Sequence, residues 1–119
     1  MSAAAPDPAP TAGRAAANMT KTEQNQSDTQ ELRLEAGAWL RALREAAGLS
    51  QRSLAGMLGL DYYTFISQLE NGRGRIPPAR YRDWARALGV DEKVFVRKLL
   101  SFYDPVSYEI LFGEEDRAA

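Results

Sequence analysis

Two short amphipathic stretches between residues 50 and 72 constrain the fold more than any other feature of the chain. The first follows Ser50, a favourable N-cap residue, and ends at Gly59, whereas the second follows Asp61 and ends at Gly72. Neither stretch is long enough to form a stable helix alone, so both must pack against a common core. We therefore predict two short helices that meet at a tight turn. Their inward-facing residues are Leu54, Ala55, Leu58, Ile66 and Leu69.

The sequence on either side of this segment also predicts helices, and no part of it shows the two-residue periodicity of a strand. Apolar residues at spacings of three and four indicate a first helix over about residues 32–47. Pro78 starts a fourth helix, and Asp91 caps a fifth, which Pro105 interrupts before a short sixth over 108–113. The predicted fold class is all-α, a five-helix domain with an extra short C-terminal helix.

The two ends of the chain differ from its middle in composition. Residues 1–31 are polar and rich in Ala and Pro, so we predict a disordered tail. Within it, Met19 is a candidate for an alternative start of translation. The predicted divisions that follow are a domain over 32–90, a helical extension over 91–113 and an acidic tail over 114–119 that frays.

The composition excludes several classes of function. The 119 residues include no cysteine and no histidine, which removes thiolate ligands, cysteine nucleophiles and the usual general base. Nucleophile motifs, glycine-rich phosphate loops and metal-ligand clusters are also missing from the sequence, so we predict no enzyme, no metal, no cofactor and no small-molecule ligand. Without a secretory signal or an apolar run of 18 residues, we expect a cytoplasmic protein that does not enter the membrane.

Charge is distributed unevenly along the chain, although the net charge is only −1. Residues 36–103 hold 11 basic and 6 acidic side chains, a net charge of +5, whereas the segments before and after them are acidic. A basic central region between acidic ends is compatible with a nucleic-acid partner, because Lys and Arg supply most of the affinity for phosphate.

The segment Leu40-Arg-Ala-Leu-Arg-Glu-Ala-Ala-Gly-Leu-Ser-Gln-Arg-Ser-Leu-Ala55 resembles the opening of an Xre-type, lambda-repressor-like helix-turn-helix domain. Gln68-Leu-Glu-Asn-Gly72 resembles the end of helix three in that family, and the whole resemblance covers about residues 36–90. It implies a sequence-specific regulator of transcription that binds double-stranded DNA as a homodimer, with a recognition helix over about 61–71 in the major groove.

The resemblance also implies roles for particular residues. Arg44 and Glu70 match family positions that form a buried ion pair between helices one and three. Four further residues match positions that contact backbone phosphates, or follow them in a basic loop: Gln51, Asn71, Arg73 and Arg75. From the residues alone, the two arginines could instead line a solvated turn, and Asn71 suits a helix C-cap, a role compatible with phosphate contact.

Base contacts are expected from the outer face of helix three, where Gln68 could pair bidentately with adenine. The candidates are Tyr62, Tyr63, Thr64, Ser67 and Gln68. Each tyrosine could also bury its ring or donate its hydroxyl to phosphate. One residue more than the family pattern separates Gly59 from Glu70, and we expect Phe65 to pack into the space that this insertion creates.

Helix five and residues 108–112 carry more large apolar side chains than a small domain obviously requires, so we expect dimerisation there. The same residues could instead complete the core of a monomer. An alternative function also stays open: a protein-interaction module, such as an antitoxin or a phage-derived adaptor, in which the tyrosine-rich helix docks a partner and the acidic tail mimics nucleic acid.

Overall fold

The computed structural model describes residues 21–118, and within them every regular element is helical. The all-α fold class predicted from the sequence is therefore confirmed. None of the helices in this range is both long and apolar enough to cross a membrane. The elements are α1 (Lys21–Ala46), α2 (Gln51–Met57), α3 (Thr64–Glu70), a 3₁₀ turn (Pro78–Arg80), α4 (Tyr81–Leu88), α5 (Glu92–Tyr103) and α6 (Pro105–Ala118).

Two helices begin where their capping residues predict. The Ser50 hydroxyl accepts a hydrogen bond from the backbone N–H of Ser53 at 3.0 Å, so the start of α2 is capped. The Asp91 carboxylate accepts the N–H of Val94 at 3.0 Å in the same way at the start of α5. Gly59, with φ of +71°, makes the left-handed turn after α2 that other residues adopt at a cost.

The first helix is longer than its apolar pattern predicts. It begins at Lys21 rather than near residue 32, so residues 21–31 of the predicted disordered tail are helical. Gln, Glu and Lys are favourable helix formers, and the packed part of α1 supplies the nucleus onto which further turns add cheaply. Residues 1–20, including the candidate start at Met19, lie outside the described residues.

The last helix also exceeds its prediction. It runs through Gly113 to Ala118, where fraying was expected after residue 113. Arg97 on α5 reaches Asp116 at 2.7 Å and Glu115 at 3.4 Å, which ties the acidic end back to the domain. These ion pairs join residues far apart in sequence, so the local apolar pattern could not predict them.

The third helix starts later than predicted. Asp61 is exposed and caps nothing that the structure records; the N-cap position belongs to Tyr63, whose carbonyl accepts the N–H of Ser67 at 3.2 Å. Residues 60–63 lie in the turn before the helix. The recognition helix predicted over about 61–71 is therefore only Thr64–Glu70, with the end as expected.

One hydrophobic core joins all the helices up to α5. Ile66, Ile76 and Leu99 are completely buried at its centre, together with Trp84 and Phe95. Because α5 packs against both α1 and α4, it belongs to the same core as the two short helices, and it carries α6 on its other side. The position of α6 is therefore set by a helix that belongs to the same core as the two short helices.

A glycine on α1 allows α1 and α3 to cross closely. A Cβ at Gly37 would lie 2.4 Å from the carbonyl oxygen of Leu69 and 2.6 Å from that of Glu70. Neither oxygen can move without unwinding the end of α3, so only glycine fits. At Gly59, by contrast, a Cβ would meet nothing within 4 Å. The requirement at Gly59 is the backbone turn alone.

Gly37→Ala is expected to lower the free energy of unfolding by about 1–3 kcal/mol or more, because the added methyl group must separate α1 from α3. The matched control is Gly56→Ala on α2, where a Cβ meets nothing within 4 Å and the helix gains about 0.5–1 kcal/mol. Urea denaturation of both variants measures the difference. Equal stability of the two variants would contradict the close crossing.

Candidate nucleic-acid interface

A buried ion pair holds α3 against α1. Arg44 Nε donates to Glu70 Oε2 at 2.6 Å and Arg44 Nη2 donates to Glu70 Oε1 at 3.0 Å, so the contact is bidentate. The two side chains are only 10% and 6% exposed. Arg44 Nη1 also donates to the carbonyl of Leu49 at 2.7 Å, which fixes the turn before α2. The hydrogen bond to Glu70 raises the pKa of Arg44 above its ordinary value, against the opposing effect of burial.

Gln51 joins this ion pair from the first residue of α2. Its side-chain nitrogen donates to Glu70 Oε1 at 3.0 Å, so one carboxylate accepts hydrogen bonds from both α1 and α2. An amide nitrogen carries two hydrogens, and one remains for a phosphate oxygen. The contact with Glu70 thus restricts the orientation of the Gln51 amide before any ligand arrives.

The outer side of α3 presents polar groups while its inner side is buried. Ile66 and Leu69 face the core, whereas Thr64 and Gln68 are exposed and Ser67 is half-buried. Residues 64, 67 and 68 share one helical face because they are spaced by three and four. Phe65 is half-buried and packs against the core.

The two tyrosines lie in the turn before α3, because the helix starts only at Thr64. Tyr62 is 76% exposed. The ring of Tyr63 lies beneath the guanidinium of Arg52, 4.9 Å from its centroid. Arg52 follows Gln51 directly. The sequence analysis did not name Arg52 as a site residue, although its position next to a predicted phosphate contact could have indicated it.

The loop after α3 exposes its basic side chains. Asn71 is the C-cap residue of α3 and is exposed, as are Arg73 and Arg75. The guanidinium of Arg75 lies 4.7 Å from the ring centroid of Tyr103, at the end of α5. Among the described residues, no group of acidic side chains is placed to hold a metal ion, there or elsewhere.

Tyr103 anchors this loop from α5. Its hydroxyl accepts the backbone N–H of Ile76 at 3.1 Å, and Arg33 on α1 also approaches its ring, at 5.6 Å. Burial raises the pKa of Tyr103 above its ordinary value, while the Ile76 hydrogen bond and the two arginines oppose that rise. Sequence reasoning missed this role because the partners are 27 residues apart.

These contacts define the described part of the chain as an all-helical fold with a helix-turn-helix motif, in which an ion pair holds α3 to α1 and the Gln51 amide joins α2 to the same carboxylate. A family model described as a helix-turn-helix domain matches residues 35–97, more than half of the chain. The chain belongs to this family, as the sequence resemblance led us to expect. No curated protein matches it.

Arg44→Met is expected to lower the free energy of unfolding by roughly 3–5 kcal/mol, because it leaves the Glu70 carboxylate buried without its cation. The matched control is Arg41→Met, which removes the exposed ion pair with Glu45 on the same helix and should cost at most about 1 kcal/mol. Chemical denaturation measures both. Similar losses in the two variants would show that burial of the Arg44 pair does not matter.

Proposed function

We propose that the chain is a sequence-specific regulator of transcription, without catalytic activity, that binds double-stranded DNA through α3 in the major groove. The observation that carries this proposal is the two-sided α3: a buried face fixed by Glu70, and an exposed face of Thr64, Ser67 and Gln68. A rigid helix with exposed hydrogen-bonding side chains is what base recognition in the major groove requires.

Phosphate contacts fall to the residues at the two ends of the motif. Gln51 begins α2 with one amide hydrogen free of Glu70, and Asn71 with Arg73 and Arg75 follows α3. Such contacts orient a protein on the duplex without reading its sequence. Base reading falls to Thr64, Ser67 and Gln68 on the helix, and the exposed Tyr62 and Tyr63 face the edge of the same groove from the preceding turn.

We also propose a homodimer formed through the extension over 91–113. Its second helix, α6, exposes Val106, Ile110 and Leu111, which are 69%, 77% and 60% accessible. Val106 and Ile110 are one helical turn apart, so they form an apolar ridge, and the domain core leaves this ridge uncovered. A two-fold dimer pairs identical surfaces and spaces two recognition helices about 34 Å apart on DNA.

Selection of bound sequences from a random duplex library tests the DNA-binding proposal. We expect one preferred motif, and Gln68→Ala should relax it at one base position at a cost of about 1–3 kcal/mol. Arg75→Ala should keep the motif but reduce the slope of log affinity against log salt by about 1 per chain.

Arg82→Ala is the control for the loop arginine. Arg82 is exposed and paired with Glu92, away from the loop, so its loss should change neither the motif nor the salt slope. Failure of the wild-type chain to bind any duplex at low salt would contradict the proposal and favour the protein-interaction module instead.

Sedimentation velocity at tens of micromolar tests the dimer. We expect the wild-type chain to sediment as a dimer and Ile110→Glu as a monomer, because a carboxylate would be buried in the apolar contact. Met57→Glu, at an exposed apolar position on α2 outside this extension, is the control and should remain dimeric. A monomeric wild-type chain would argue that the ridge on α6 serves another purpose.

A further inference from the structure

The face of α1 that packs on α3 continues beyond the end of α3 with a different chemistry. Gly37 and Arg44 lie on this face, where they meet the last residues of α3. Going back along the helix at spacings of four and three, the same face carries Arg33, Gln30 and Gln26. This row of residues on α1 thus changes where α3 ends: Gly37 and Arg44 pack against α3, whereas Arg33, Gln30 and Gln26 present a guanidinium and two amides beyond it.

Between residues 26 and 36, the acidic side chains of α1 lie on the opposite face. Asp28, Glu31 and Glu35 are spaced by three and four, so they form a separate row, and all three are exposed. Residues 26–36 of α1 are therefore two-sided in charge. The carboxylates of Asp28, Glu31 and Glu35 lie away from the side on which α3 and the following loop pack.

A cleft of about 360 Å³ lies between the polar row of α1 and the loop after α3. Arg33 crosses it and donates from Nη1 to the carbonyl of Gly74 at 3.3 Å. The described residues that line the cleft include two guanidinium groups, of Arg33 and Arg73, and the amides of Gln26 and Gln30, but no carboxylate. Such a set of donors matches the oxygens of a phosphate group.

We propose that this cleft binds a phosphate group, and that its source is the DNA backbone beyond the base pairs read by α3. This inference rests on the proposed DNA binding and extends its footprint. The cleft adjoins Arg73, at the end of the motif, so a strand that passes the loop would next meet the amides of α1. Residues 26–33 lie before the part of the chain that the family model matches, so the α1 side of the cleft is an addition to the helix-turn-helix domain, which supplies Arg73 on the other side.

The experiment compares full-length protein on two duplexes with the same selected centre, one ending at the read base pairs and one with several flanking pairs on each side. We expect the flanks to raise wild-type affinity about tenfold. Gln30→Glu should abolish that gain and reduce the salt slope on the long duplex by about 1 per chain, while binding to the short duplex stays within twofold.

Ala42→Glu is the matched control, since it adds the same charge to α1 on the exposed acidic face. It should retain the gain from the flanks, and an equal loss in both variants would overturn the proposal. So would a wild-type chain that binds both duplexes equally. If the side-chain amide resonances of Gln26 and Gln30 respond to inorganic phosphate but the flanks give no gain, DNA is not the source. Failure on every duplex would overturn the proposed function as well.

Discussion

The carboxylate of Glu70 is the group on which the DNA-binding segment depends. It receives hydrogen bonds from Arg44 on α1 and from Gln51 on α2, and it is itself the last residue of α3. Three helices thus meet at one charged group that burial removes from water. A buried ion pair contributes little net stability compared with an apolar replacement, but its geometry is demanding. Its effect here is to select one arrangement of α3, which two short helices joined by a turn would not specify by themselves.

The sequence predicted what local interactions control. The caps at Ser50 and Asp91 satisfy backbone groups within three residues, and both predictions are confirmed. The predicted start of α3 was wrong because Asp61 resembles a cap, whereas the helix begins only at Thr64, after a turn that includes Asp61 and both tyrosines. The length of α6 could not be predicted from local sequence patterns either, because Arg97 on α5 forms the ion pair that holds its acidic end.

The candidate site divides in a similar way. The Arg44–Glu70 contact came from family resemblance rather than from spacing, and the structure places the two side chains together. Tyr103 and Arg33 meet the loop after α3 only through the tertiary fold, so no periodicity points to them. Tyr103 ends α5 immediately before α6, and it also holds Arg75 and Ile76. A shift of α6 would therefore reach the basic loop through Tyr103.

The contact at Gly37 has a mechanical consequence for the long first helix. Residue 26 precedes Gly37 by 11 residues, a distance of about 16 Å along a helix that rises 1.5 Å per residue. From the close crossing at Gly37, this part of α1 extends alongside the loop after α3, where Arg33 holds it to Gly74. A change of about 10° in the angle at which α1 crosses α3 would move residue 26 by roughly 3 Å, about the length of a hydrogen bond. The missing side chain at Gly37 therefore affects where the start of α1 lies relative to the loop, about three helical turns away.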